Sequence, residues 1–344
     1  MKKENTVFSA NKSPSPCFID LHLHIDGAIS VDTAIELAEM QSIALPTTDR
    51  KQLSKLLSVS SDCQDLNEFL QCFALPCSLL QTKEAISHAV YRVQEEMMAI
   101  GVLYAELRFA PQLHVNRDLS QQEVVLAALD GLKRSKLKAN LILCCMRGDD
   151  LTTLNMETVR LAGQYKDRGV VAVDLAGAEA LYPTKEYQDI FAYANKLGLN
   201  ITMHAGEADG AESIRSAVAF GAKRIGHGIH VLEDATLMNE LKEKRIPLEL
   251  CITSNLQTHA VDCIENYPLK KLIHEGLVVT LNSDDPTVCG TNVRKEMYLA
   301  KERLQITDDE INQLLMNAVN FSFASDDVKK ELREVIHQNK AMWF

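Results

Sequence analysis

Eight short runs rich in Val, Ile and Leu alternate with amphipathic stretches along 344 residues, and together they predict a (β/α)8 barrel. Three observations carry that expectation. Most of the runs are near-continuously apolar, as in parallel strands covered on both faces. The length suits one such barrel, although by size alone two smaller domains would also fit. No Gly-rich dinucleotide turn follows the first run, which disfavours the alternative of a doubly wound open sheet.

The elements follow in order. Residues 1–16 are polar, end in Ser13-Pro14-Ser15-Pro16 and predict a flexible tail. Residues 17–344 are expected to form one barrel unit. Its strands are predicted at Cys17–His24, Val102–Ala110, Ala139–Met146, Val170–Leu175, Asn200–His204, Arg224–His227, Pro247–Ile252 and Leu277–Asn282. Helical patterns between them include Val31–Glu39, Lys83–Ala99, Gln121–Lys136 and Glu186–Leu197, and two more follow the last strand at Asp308–Phe323 and Asp327–Gln338. A helical insertion is expected over residues 45–83. Within it Leu66, Phe69, Leu70 and Phe73 fall at i, i+3, i+4 and i+7, an apolar face in a βα connection on the side of a barrel where active sites lie.

Composition excludes several function classes. The chain has 36 basic and 47 acidic residues, a net charge of −11, with no Lys/Arg run longer than a pair. Nucleic acid and anionic membranes are therefore poor partners. No stretch approaches the ~18 apolar residues of a membrane-spanning helix, and the amino terminus lacks a secretory apolar core. A cytoplasmic location is the expectation. Nine cysteines at irregular spacing, with no C-x-x-C, read as reduced thiols rather than a disulfide framework or a thiolate metal site. Gly221 and Gly226 have phosphate-loop spacing, but His227 and Gly228 follow where Lys and Ser/Thr are needed.

Chemistry concentrates at predicted strand ends. The first strand closes on His22-Leu-His24-Ile-Asp26-Gly27, and residues two apart in a strand share a face. The fifth ends His204-Ala-Gly-Glu207, the sixth contains His227 and is followed by His230, and the eighth is followed by Asp284-Asp285-Pro286. In a barrel these ends meet at one mouth. His22, His24, His204 and Asp284 form a Zn²⁺-type set of three imidazoles and a carboxylate with room for water, whose pKa a divalent ion lowers from ~15.7 toward ~7. Two-metal barrel hydrolases often carry a bridging lysine after the fourth strand. Here that segment is Val173-Asp-Leu-Ala-Gly-Ala-Glu179, without lysine, so one metal per chain is expected. The H-x-E and P-C-x-x-C strings of cytosine-type zinc deaminases are absent.

In order, His-x-His-x-Asp-Gly, Glu106-Leu-Arg-Phe-Ala-Pro111, Asp174-Leu-Ala-Gly177, His-Ala-Gly-Glu, Gly-His-Gly, Thr253-Ser-Asn255 and Ser-Asp-Asp-Pro resemble the adenosine deaminase family from about Phe18 to Thr291. The resemblance implies a one-zinc (β/α)8 barrel that hydrolyses the C6 amine of a purine. It implies zinc ligation by His22, His24, His204 and Asp284 and proton donation to N1 by Glu207. His227 is implied to orient or deprotonate the attacking water. Gly177 N–H is implied to meet N3, and a protonated Asp285 to meet N7. His24 and Asp26 are implied on the nucleoside. Relatives acting on free adenine tend to carry Glu at the position of Asp26, so the expected partner is a small-molecule purine nucleoside, adenosine or 2′-deoxyadenosine. Adenine or another 6-aminopurine is the alternative. The Leu66/Phe69/Leu70/Phe73 stripe resembles the family's lid. Where the family often has Gly-Asp-Glu, this chain has Gly177-Ala178-Glu179. A third reading is a purine-binding barrel without turnover, against which the intact metal set, Glu207 and His227 all argue.

Overall fold

The computed structural model describes residues 17–339, so the tail expected at 1–16 lies outside the described residues. Eight parallel strands run in sequential order: β1 Phe18–His24, β2 Val102–Phe109, β3 Lys138–Met146, β4 Val170–Ala176, β5 Asn200–Ala205, β6 Arg224–His227, β7 Leu248–Leu250 and β8 Val279–Leu281. The ring closes where β1 meets the residues after β8. Leu23 bridges Asp284, the Asp284 N–H donates to His22 O at 2.8 Å, and the His24 N–H donates to Asp284 O at 2.8 Å. The molecule is therefore a (β/α)8 barrel.

The predicted runs extend past each end of the last two strands by one or two residues. Ile252, the end of one run, already opens the helix Ile252–Gln257, because an apolar run does not mark where pairing stops. Residues 45–83 hold short helices at Arg50–Leu56, Leu66–Phe69 and Ala74–Leu79, with a tight turn of helix at Leu70–Phe73. Asp65 caps Leu66–Phe69 by accepting the Glu68 N–H. Leu66 and Phe69 are buried against Cys63, Val288 and Cys289, a small core apart from the main one, with Leu70 and Phe73 packed on its edge. The Glu186–Leu197 pattern resolves into a helical turn, Thr184–Tyr187, and the helix Gln188–Lys196. No described helix is long and apolar enough to cross a membrane, and no disulfide is seen among the described residues.

The barrel interior is charged. Barrels of this class usually fill with Val, Ile and Leu layers. Here Arg108 donates to Asp174 Oδ2 at 3.0 Å, to Glu249 Oε2 at 2.8 Å and to Leu21 O at 2.7 Å. Below it Arg224 pairs with Glu249 at 2.5 Å and Glu106 at 2.6 Å. The floor is closed by the end of the helix Asp308–Phe321: Arg224 donates to Phe321 O at 3.1 Å, and its guanidinium lies 3.9 Å from the Phe323 ring centroid. All five charged side chains are buried. Unpaired, such groups would each cost several kcal/mol; here each has an opposite charge in contact.

Candidate active site

The strand ends deliver their side chains to one mouth. His22 and His24 leave the same face of β1, His204 is the penultimate residue of β5, His227 ends β6, and Asp284 lies just past β8. His22 Nε2 is 3.0 Å from His204 Nε2 and 3.2 Å from Asp284 Oδ1. His24 Nε2 is 3.2 Å from His204 Nε2 and 3.5 Å from Asp284 Oδ1. Ligand atoms at 2.0–2.1 Å on a tetrahedral ion are about 3.3 Å from one another, so this spacing suits a shared metal.

The tautomers support the same reading. His22 Nδ1 donates to Glu249 Oε2 at 2.8 Å, and His204 Nδ1 donates to Asp174 Oδ2 at 2.9 Å. Burial opposes charge on both carboxylates, but for Glu249 Arg108 and Arg224 outweigh it, and for Asp174 His204 and Arg108 do, holding each below the usual carboxylate range. Anionic acceptors keep the proton on Nδ1 and leave Nε2 with a bare lone pair. Burial and Arg108 oppose charge on His22, but Asp284 and Glu249 raise its pKa to about 8, so two imidazoles and a carboxylate oxygen held this close call for a cation between them, a proton or a metal ion. His22, His204, His227 and Asp284 also bring donor atoms within 4.8 Å of one another, so His227 competes on distance alone with the predicted His24.

Above the donors is a cavity of about 270 Å³. It collects the predicted substrate residues His24, Asp26, Gly177 and Asp285, the predicted catalytic pair Glu207 and His227, and the stripe Leu66, Phe69, Leu70 and Phe73. His22 lies deeper, fully buried. His230 turns aside to Glu233 Oε1 at 2.7 Å.

Glu207 sits in the loop after β5. That loop is held by Glu179, whose carboxylate accepts the backbone N–H groups of Gly206, Glu207, Ala208 and Asp209 at 2.7–3.2 Å. The Glu207 Oε1 atom accepts from Thr258 at 3.3 Å and Asn255 at 3.4 Å. Burial, then the nearby Asp284 and Glu179 carboxylates, push its pKa up to about 8. Asp285 is raised well above the carboxylate range by burial, then Asp284 and Asp26. Its Oδ1 has no partner, and its side chain does not cap the helix Pro286–Cys289 that it precedes. Gly27 makes room for it, since a Cβ there would fall 1.8 Å from Asp285 Oδ1. Burial also raises Asp26 to about 6 and leaves its Oδ1 unpartnered. Gly177 has φ +106°, a conformation that favours glycine, and its backbone edges the cavity. His227 and Asp284 take φ +60° and +59°, unusual for non-glycine residues and frequent at functional sites.

Sequence reading did not assign roles to Arg108, Asp174, Glu179, Glu249 or Asn255. The signal for three of them was present: Asp174 and Glu249 are the single charges of otherwise apolar strands, and Arg108 is one of two charges, with Glu106, in an otherwise apolar β2.

A parallel barrel with imidazoles, carboxylates and a buried acid at its mouth defines a hydrolase barrel with a metal site. Residues 18–339 match the profile of the adenosine deaminase family. The adenosine deaminase of Haemophilus ducreyi is 48% identical over 328 residues, covering 93% of this chain and 95% of that protein. Among solved structures, an adenine deaminase from Arthrobacter aurescens superposes with TM-score 0.84 at 28% identity, over 94% of this chain and 99% of that one. The N6-methyl-AMP deaminase of Arabidopsis thaliana superposes with TM-score 0.80 at 28% identity, over 94% and 97%. The chain belongs to the adenosine deaminase family, and so to the hydrolases that act on C–N bonds.

Proposed function

We propose that this chain binds a purine nucleoside and hydrolytically deaminates adenosine and 2′-deoxyadenosine to the 6-oxo nucleosides and ammonia. The observation that carries the reading is a buried, proton-retaining Glu207 beside a convergent three-imidazole, one-carboxylate donor set in a single cavity.

His22, His24, His204 and Asp284 would hold the metal; Zn²⁺ suits that set, and when bound it supplies a Lewis acid that makes water nucleophilic near neutral pH. Glu207, protonated below about pH 8, gives its proton to ring N1. N7 is an acceptor only, so Asp285 must carry a proton to meet it, which its raised pKa favours. The Gly177 N–H faces N3. Asp26 and His24 reach the ribose hydroxyls, and Leu66, Phe69, Leu70 and Phe73 cover the nucleoside and exclude water.

The same mechanism on adenine or on a nucleotide is the competing reading, given what the two structural relatives act on. Two features favour the nucleoside. Asp26 has a free acceptor at the cavity wall. The one Arg or Lys among the described lining residues is Arg147, whose guanidinium already donates to Tyr182 O, Thr184 Oγ1 and His204 O at 2.7–2.9 Å. A phosphate would therefore meet carboxylates without a cation to bind it.

Rates on adenosine, 2′-deoxyadenosine, adenine and N6-methyl-AMP in parallel test this. The nucleosides should lead by at least tenfold, and Asp26→Ala should lower kcat/KM for adenosine by roughly tenfold, the worth of one hydrogen bond to a buried charged group, while leaving adenine within about twofold. A faster rate on adenine or the nucleotide, or an equal loss on both in the variant, contradicts the ribose role of Asp26.

A further inference from the structure

We infer that Asn255 is a positioning residue that locks His227 in the Nε2–H tautomer, so that His227 presents a hydrogen-bond donor to the reacting oxygen and is neither a metal ligand nor a resting base. This rests on the proposed deamination, and of the two roles expected of His227, orienting or deprotonating the attacking water, it selects the first. It also gives a function to the Thr253-Ser-Asn255 motif, which the site otherwise leaves unused.

Asn255 is fully buried on the helix Ile252–Gln257. Its amide touches three groups. The Tyr267 hydroxyl donates to Oδ1 at 3.0 Å. Nδ2 lies 3.0 Å from His227 Nδ1 and 3.4 Å from Glu207 Oε1. An amide can be flipped only if its neighbours allow it. Flipped, Asn255 would turn its oxygen toward a carboxyl oxygen already accepting from Thr258, and the Tyr267 hydroxyl would have to accept from the amide instead of donating to it. The orientation shown satisfies every partner.

With Nδ2 donating, His227 Nδ1 must accept, and the neutral ring carries its proton on Nε2. That N–H has no hydrogen-bond partner among the described residues, and His227 lines the cavity. Its nearest acceptors are Glu207 Oε2 at 3.4 Å and Asp284 Oδ2 at 4.0 Å. A protonated ring nitrogen cannot ligate a metal, which resolves the competition between His227 and His24 in favour of His24. The same amide and Thr258 both donate to Glu207 Oε1. Oε2 is thus left as the oxygen from which a proton can pass to substrate.

Long-range ¹⁵N–¹H spectra of the zinc-loaded protein, labelled at histidine and assigned with His227→Gln, read the tautomer directly. Protonated Nε2 and bare Nδ1 on His227 are expected; protonated Nδ1 overturns the inference. Asn255→Asp keeps the shape but replaces the donor with an acceptor, which should move the ring proton to Nδ1. A displaced tautomer at an otherwise intact site can cost up to about 10⁴-fold in kcat. We expect a fall of at least ~10²-fold with KM within about threefold and one metal per chain retained. A kcat within threefold of wild type overturns the inference. Should that variant not fold, Tyr267→Phe, which removes only the clamp, should show a smaller fall in kcat and a mixture of tautomers; an unmixed Nε2–H signal with unchanged kcat counts against it. If the wild type deaminates no purine tested, the functional reading fails, while the tautomer is still decided by the spectra.

Discussion

Glu207→Gln should keep its metal and lose roughly 10²- to 10⁴-fold in kcat, the usual contribution of a positioned general acid. The substitution is close to isosteric. The loop is held by Glu179 through backbone N–H groups, not through the Glu207 side chain, so its path should survive. What is lost is a transferable proton. The wild-type pH profile carries the same signature. Burial, then Asp284 and Glu179, raise Glu207 to about 8, so the acid form is present below that pH and is lost as pH rises through it. A bound dication favours the carboxylate and moves that limb downward. The alkaline fall of kcat/KM should therefore lie at or below about pH 8. Near-normal kcat in metal-replete Glu207→Gln would remove the proton-donor role.

Arg108→Met should cost about 3–5 kcal/mol of stability, because it leaves Asp174 and Glu249 buried without their shared cation. At ~2.1 cal/mol/K per residue that is a fall of about 4–7 °C in unfolding midpoint. The consequence reaches the metal. Asp174 and Glu249 fix the tautomers of His204 and His22, so without Arg108 either carboxylate is more easily protonated and metal affinity should fall by ~10-fold or more. Calorimetry with a metal-competition titration checks both. The exposed pair Arg303–Glu265 is the control, and Arg303→Met should change stability by less than ~1 kcal/mol. An Arg108→Met protein as stable as wild type, with unchanged metal affinity, would show that the buried network does not organise the ligands.

The barrel was legible because parallel strands buried on both faces leave long apolar runs, and eight of them recur between amphipathic stretches. The convergence of the donor side chains was legible because His22 and His24 obey the two-residue period of a strand, and because His204, His227 and Asp284 sit near or just past strand ends. Strand limits were less so. Cys251 and Ile252 remain apolar after β7 has stopped pairing, since the helix that follows is buried as well. Hydrogen-bonded partners far apart in sequence, such as Glu179 under the Glu207 loop and Tyr267 behind Asn255, leave no local pattern. They emerge only when the fold brings the segments together. The split between His24 and His227 is of the same kind, for it turns on which nitrogen of His227 carries a proton.

The most direct test of the site is a zinc titration of chelator-stripped protein, followed by ammonia release from adenosine. Activity should be absent in the metal-free chain, rise linearly with added Zn²⁺, and reach its plateau at one equivalent, with Cd²⁺ or Co²⁺ taking the same place competitively. Full turnover without metal, or a plateau at two equivalents, would contradict a single ion held by His22, His24, His204 and Asp284.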